Sequence, residues 1–276
     1  IGKGHAIEDR HYPPFYYGNA QTVPSHNLAA AFPAKNGFPI NDPRAGYDEE
    51  NPYSCIRDNR FDVNLYYQGR KFGANNSNID VAYGGKDSDY FNEKASRSGY
   101  YLAKFINTDL ANFIKPLDQQ ESRHYNPMLR KAEIWYIFAE AANEAWGPKV
   151  IGPDCTMSAY DVIRIIREKS GGITDVTYLD EMAVSPESFA KLILNERRIE
   201  FAFENQRFWD LRRRLLPLDE TILGMKVTRK ADGTELFEVV PVEKRPLDNM
   251  RYYYLPLPYD EIQKNANLVN NRGWGK

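Results

Sequence analysis

Asn195-Glu196-Arg197-Arg198-Ile199-Glu200-Phe201-Ala202-Phe203-Glu204-Asn205-Gln206-Arg207-Phe208-Trp209-Asp210-Leu211-Arg212-Arg213 is the stretch on which the reading of this chain turns. A helix enters it from Ser185, which reads as an N-cap with Pro186 at the first helical position and Ser188 at the third. Helical spacing puts Glu196, Glu200, Phe203 and Arg207 near one face, with Arg197, Arg198, Glu204 and Asp210 beside or opposite them. One reading of such a row is a carboxylate pair for acid/base work, as in a glycosidase. That chemistry needs one carboxyl with a raised pKa beside one kept ionised. Here every glutamate has an arginine within helical reach, and a nearby cation favours the ionised form of each. The row therefore predicts an ion-pair network that pins one helix to its neighbours. The same reading applies to Glu133, Glu140 and Glu144.

Outward from this stretch the pattern stays helical. Leu129–Trp146 is rich in Ala, Glu and aromatics, and Gly147-Pro148 stops it. Ser158 caps a second helix to Lys169, with Asp161 in its first turn, and Gly171-Gly172 ends it. The Ser185 helix continues to about 203–205, and Gln206–Arg213 follows or merges with it. Short loops between such helices predict helical hairpins of the tetratricopeptide-like kind, without a repeat in the sequence itself. Met225–Lys230 and Leu236–Val240 flank an Asp232-Gly233 turn and predict a β-hairpin. Pro256 and Pro258 precede a short helix, Tyr259–Asn265.

Residues 1–130 read differently. Pro13, Pro14, Pro24, Pro33, Pro39, Pro43 and Pro52 interrupt any long helix. One short helix is predicted at Ser25–Phe32, capped by Ser25. The alternation Phe61-Asp62-Val63-Asn64-Leu65-Tyr66-Tyr67 reads as a strand, and Gly99–Ile106 as a second. A loop-dominated segment of this length usually serves function.

The composition fits a globular protein: 42% hydrophobic and 27% charged over 276 residues, with a net charge of -2. That charge gives no field to steer nucleic acid, so no nucleic-acid partner is expected. No stretch approaches the roughly 18 apolar residues that span a bilayer. Cys55 and Cys155 lie far apart and form neither a metal-ligand spacing nor a disulfide framework; two buried thiols are expected, a single disulfide being the alternative. The chain opens on Ile1-Gly2-Lys3 and reads as a piece of a longer polypeptide, so targeting signals have no bearing here. The unusual number is 13% aromatic, with 19 Tyr against 14 Phe. Tyrosine suits half-wet surfaces that bind something, because it joins an apolar ring to a polar tip.

Four stretches together resemble the SusD/RagB family. The Glu196–Arg213 stretch is similar to the family's ERRxELxxEGxRxxDLxR pattern, with Asn205 in place of Gly; Asn tolerates the left-handed backbone that Gly would supply. Tyr254-Leu255-Pro256-Leu257-Pro258-Tyr259-Asp260-Glu261 through Asn271 resembles the family's LPIPxxExxxNPxLxQN ending, with Ala266 where Pro is common. Met128–Glu144 resembles its RxAEVxLxxAEAxNE helix. Asn36–Arg60 resembles a segment ending in RDPRF, with Asn59 replacing the Pro. The resemblance implies a mainly α fold: helical hairpins with long irregular loops and a small β-hairpin. Residues 1–125 would form a loop-rich, ligand-facing segment and 126–276 the helical C-terminal region, together one domain of a protein with a further N-terminal half. It also implies a non-catalytic binder of oligosaccharide or another nutrient. Its partner would be a SusC-like TonB-dependent outer-membrane transporter, and its place the cell surface, anchored by lipid through the N-terminal segment. A glycan-active hydrolase and a peptide-binding helical module are the alternatives.

A sugar binder needs aromatic platforms for C–H faces and polar side chains for hydroxyl edges. Tyr12, Tyr16 and Tyr17 offer platforms, as do Tyr83 and Tyr90 near Asp87; Asp42 and Arg44 are candidate edge contacts. Packing of loops onto helices is the plain alternative for each ring. Asn76, Asn78, Asp80, Asp87 and Asp89 place oxygens close together, so calcium is one option, but without an EF-hand pattern no cofactor is expected. His5, His11, His26 and His124 show no paired metal spacing and read as surface or packing residues.

Overall fold

A computed structural model of the chain describes residues 2–110, 122–125, 127–265 and 267–275. The departure at Ala266 lies outside them. The N-terminal stretch carries short elements: β1 (Gly2–Gly4), α1 (Ala6–His11), α2 (His26–Ala31), α3 (Asn59–Asn64), β2 (Leu65–Tyr66), β3 (Lys71–Phe72), β4 (Ser77–Asn78), β5 (Tyr101–Leu102) and β6 (Ser122–His124). The strands pair antiparallel in twos, β1 with β6, β2 with β5 and β3 with β4. Ser25 caps α2 as its sequence predicts, accepting from the Leu28 amide at 3.2 Å.

The predicted strand over 61–67 is mostly helix. Alternation would bury Phe61, Val63 and Leu65 alike, but Phe61 and Leu65 are buried while Val63 is 61% exposed. The working period is four, not two. Asp58 sets it by accepting from the Arg60 amide at 2.8 Å, and Asn64 Nδ2 closes the turn onto Arg60 O at 2.6 Å. Only Leu65–Tyr66 is extended. The strand predicted at 99–106 shrinks likewise to Tyr101–Leu102.

The second stretch holds α4 (Lys131–Trp146), α5 (Ala159–Ile166), α6 (Thr177–Met182), α7 (Pro186–Glu200), α8 (Gln206–Arg213), the hairpin β7 (Ile222–Arg229) and β8 (Glu235–Glu243), and α9 (Tyr259–Lys264). α4 packs against both α5 and α7. Gly147 ends α4 with φ 84°, a conformation that costs side-chain-bearing residues more. Ser158 and Asp161 form a reciprocal capping box on α5. α6 was not legible, being six residues without a side-chain cap. The helix expected to run past 200 stops at Glu200. Phe203 (φ 64°) and Asn205 (φ 62°) reverse the chain before α8, so the four residues placed on one face belong to two helices and a turn. Asn205 takes the left-handed conformation its substitution for Gly anticipates.

Burial gathers into two main clusters. One is helical, built from Tyr136, Ile163, Phe189, Ile193 and Phe201 among others. The other joins loop aromatics (Tyr12, Tyr16, Phe61, Phe72, Tyr100, Tyr101) to Ile199 of α7 and to Met225 and Val227 of β7. The loops are thus wrapped on the helical scaffold, and each such buried side chain contributes about 1.5–3 kcal/mol. Among the described residues no helix is long and apolar enough to cross a membrane. Cys55 and Cys155 are free thiols, half-buried and not fully buried as expected.

Candidate functional site

The loop 80–91 is braced by its own backbone and by Tyr101. The Asp87 amide donates to Asp80 O at 2.9 Å, and the Asp80 amide returns a bond to Asp87 Oδ2 at 2.8 Å. Tyr101 donates its hydroxyl proton to Asp87 O at 2.6 Å, and Ser88 Oγ donates to Gly85 O at 2.7 Å. A Cβ on Gly85 would sit 2.5 Å from Asp80 O, so the loop closes only around glycine. Gly85→Ala is expected to lower stability by about 1–3 kcal/mol in urea unfolding; an unchanged midpoint would contradict this bracing.

The brace turns its aromatics outward. Tyr83 and Tyr90 lie with ring centroids 4.3 Å apart at 41°, and with Phe91 each is 64% exposed. Burial at the contact, with the neighbouring Tyr90 hydroxyl, raises the Tyr83 pKa. The other predicted platform comes close. Lys86 Nζ donates to Tyr16 OH at 3.1 Å and lies 4.8 Å from the Phe15 and Tyr16 rings, and Lys94 Nζ reaches Asn19 Oδ1 at 3.3 Å. Of Tyr12, Tyr16 and Tyr17, Tyr17 is the exposed one, at 49%.

Three predicted site residues do not face solvent. Tyr12 and Tyr16 are buried against Phe72, which fixes them as core. Asp87 is also fully buried; burial pulls its pKa up against the pull of Lys86 and the Asp80 amide. Its charge serves the brace and not a ligand. Asp42 and Arg44 sit elsewhere, in an exposed ion-pair group with Glu181 of α6, the Arg44 guanidinium 4.0 Å over the Phe38 ring. Among the oxygens weighed for calcium, Asp80 is engaged by Arg229 and Gln68, and Asp87 by Lys86.

The carboxylate row is fully paired among the described residues. Glu196 joins Arg60 (2.7 Å) and Arg167 (2.5 Å); Glu200 joins Arg60 (3.3 Å) and Arg130 (3.0 Å); Glu204 joins Lys104 (2.6 Å) and Arg130 (2.8 Å). Asp210 joins Arg197 and Arg213, and Glu140 joins Arg213 and Arg214. Burial would raise Glu140, but hydrogen bonds from Arg213 and Arg214 outweigh it and hold its pKa low. The expected network exists for this row and for Glu140 and Glu144, whereas Glu133 forms no ion pair among the described residues; most partners come from other elements and not from helical neighbours.

Sequence reasoning missed a cavity of about 760 Å³ lined by Ile7 and His11 of α1, Leu102, Phe105, Tyr125 and Phe203, with Arg123 and His124 on its wall. Buried Glu8 props it, accepting from the Asn107 amide at 2.9 Å and meeting His124 Nε2 at 3.0 Å. Phe105 (φ 70°) and Phe203 (φ 64°) both hold a backbone region uncommon for bulky residues. The one available signal was the i, i+4 spacing of Ile7 and His11.

The family model described as the SusD family matches residues 3–274. SusD-like protein P2 of Formosa agariphila is 32% identical over 158 residues, which are 56% of this chain and 27% of that protein. A solved SusD-like protein of Bacteroides fragilis has a TM-score of 0.71 at 29% identity, over 94% of this chain and 48% of that one. A SusD-like carbohydrate binding protein of the same organism has a TM-score of 0.70 at 24% identity, over 95% of this chain and 51% of that one; identity this low speaks for the fold alone. The chain spans about half the length of these solved structures, and its matched stretch covers about a quarter of the curated relative.

Proposed function

Because the chain belongs to the SusD family, we propose that it forms part of a non-catalytic oligosaccharide binder on the outer-membrane surface. In this reading residues 1–125 present the ligand face, 126–276 form the scaffold beneath it, and the two act as one domain. The ligand passes to a SusC-like TonB-dependent transporter, and a lipid anchor upstream holds the protein in place. The observation that carries the reading is the Tyr83–Tyr90–Phe91 surface, three exposed rings on a loop whose backbone is pinned. Sugar C–H faces stack on such rings, and rigidity of the loop spares the ordering cost of binding. Asp89 lies on the same loop and Lys94 follows it in the chain; their polar groups supply edge contacts. The open shape leaves much ligand wet, so affinity is modest.

A hydrolase would need a carboxyl with a raised pKa beside an ionised one, and the cations on each member of the carboxylate row work against it. The test is a calorimetric screen of an oligosaccharide panel with product analysis run in parallel. The expected result is binding without products, weakened about tenfold or more in the double variant Tyr83→Ala, Tyr90→Ala. Product formation overturns the binder reading; equal binding by the double variant moves the site off this platform.

A further inference from the structure

Among the described residues four arginines are buried: Arg57, Arg60, Arg167 and Arg197. Three rest on carboxylates, Arg60 on Asp58 and Glu196, Arg167 on Glu196, and Arg197 on Asp210. Arg57 does not. It is 9% exposed and forms no ion pair among the described residues. One terminal nitrogen donates to the Ala29 and Phe32 carbonyls, the guanidinium lies 4.7 Å from the Phe61 ring, and Nε has no hydrogen-bond partner. Burial lowers the Arg57 pKa, whereas around Arg60 the carboxylates of Glu196 and Asp58 outweigh burial and raise it. A buried cation without a counter-ion is costly to keep.

Arg57 lines a crevice of about 220 Å³ beside α3, together with Tyr53, Cys55, Asn59, Asp62 and Tyr67. Tyr53 and Tyr67 stack at 4.3 Å and 20° to form an aromatic pair at this crevice. Asn59 holds a second cation, accepting from Lys35 Nζ at 2.6 Å. Asp62 is the one carboxylate among the lining residues, and it is occupied by the Tyr67 hydroxyl at 2.9 Å. The volume falls below the range of about 300–1,000 Å³ typical of whole-ligand sites, so it admits one substituent and not an entire oligosaccharide. We propose that this crevice is an anion-binding subsite that takes the carboxylate or sulfate group of an acidic sugar, with Arg57 as its counter-charge. With one terminal nitrogen held by the two carbonyls, Arg57 attracts either oxyanion by its charge and its other terminal nitrogen, and not by a bidentate fork. The inference rests on the oligosaccharide-binding reading and names its substrate class as acidic.

The experiment titrates the chain with trigalacturonate, a sulfated galactotriose and neutral galactotriose. At least one acidic probe is expected to bind about tenfold to hundredfold more tightly than the neutral one, and Arg57→Met to bring them within about twofold. Arg57→Met also loses two carbonyl contacts, so a second readout uses the natural sequence. A saturating acidic probe is expected to slow iodoacetamide alkylation of Cys55, which lines the crevice, and to leave Cys155 unchanged. Equal binding of acidic and neutral probes overturns the subsite and leaves the binder reading standing. An acidic probe that binds without protecting Cys55 also overturns it. Failure of all three sugars sinks both.

Discussion

Replacing Glu196 by alanine is expected to cost about 3–5 kcal/mol of stability, the range for breaking a buried ion pair from one side. Glu196 is fully buried, and its two oxygens hold the two guanidinium groups of Arg60 and Arg167, which are themselves almost wholly buried. Its removal leaves Arg167, among the described residues, with the Gly37 carbonyl at 2.8 Å as its remaining hydrogen bond. Arg60 keeps Asp58 and Glu200, so the larger penalty falls on Arg167. Three elements lose their tie at once: α7, α3 and the turn after α5. Urea unfolding measures the loss. The double variant Glu196→Leu, Arg167→Leu removes the stranded charge with its partner and is expected to recover part of it, giving a coupling energy of about 1–3 kcal/mol. A single-variant loss under about 1 kcal/mol would show that this lock does not carry the scaffold.

Lowering the pH from neutrality is expected to cost about 3 kcal/mol through His26 alone. Its side chain is buried in α2, with Nδ1 2.9 Å from the Tyr100 hydroxyl. Burial first, and then the Arg57 charge, lower its pKa from 6.5 to about 4. The folded state therefore binds this proton less readily than the unfolded state. The stability it contributes is fully present above pH 6.5 and is lost as pH falls toward about 4. At about 1.4 kcal/mol for each pH unit of difference, that window corresponds to the stated loss. His11, lowered by burial and by Arg10, acts in the same direction. Urea midpoints at pH 7 and pH 4.5 test the point, with His26→Gln as the comparison, since glutamine can still hydrogen-bond the Tyr100 hydroxyl. The variant is expected to lose most of the dependence across that window; an unchanged slope would remove His26 from the account.

Helix ends were well marked in the sequence because caps act locally. Ser25, Ser158 and Ser185 each bond an amide within three residues, and no distant group is needed. The Asp232-Gly233 turn was legible for the same reason, Asp232 Oδ1 accepting from the Thr234 amide at 2.9 Å. The stretch 61–67 misled because two periods fit five apolar positions, and only the burial of Phe61 and Leu65 with Val63 outside decides between them. The exposure of the candidate platform was half legible. Tyr83 and Tyr90 emerge as a surface, while Tyr12, Tyr16 and Asp87 are drawn into the core, and composition cannot tell a ring that stacks on sugar from one that stacks on Phe72.

Glu196–Arg213, the stretch that opened the reading, separates what each level determines. By itself the sequence determined that charges there would be paired, that Asn205 could turn the chain, and that the four motifs belong to one family. Those properties depend on residue type and short spacing. Which cation meets which carboxylate was decided only by tertiary structure. Glu196 finds arginines 136 and 29 residues away in the chain, and Arg197 finds Asp210 across a left-handed turn. Ion pairing acts over a few ångströms in space, and helical spacing lists only the neighbours that happen to be close in sequence.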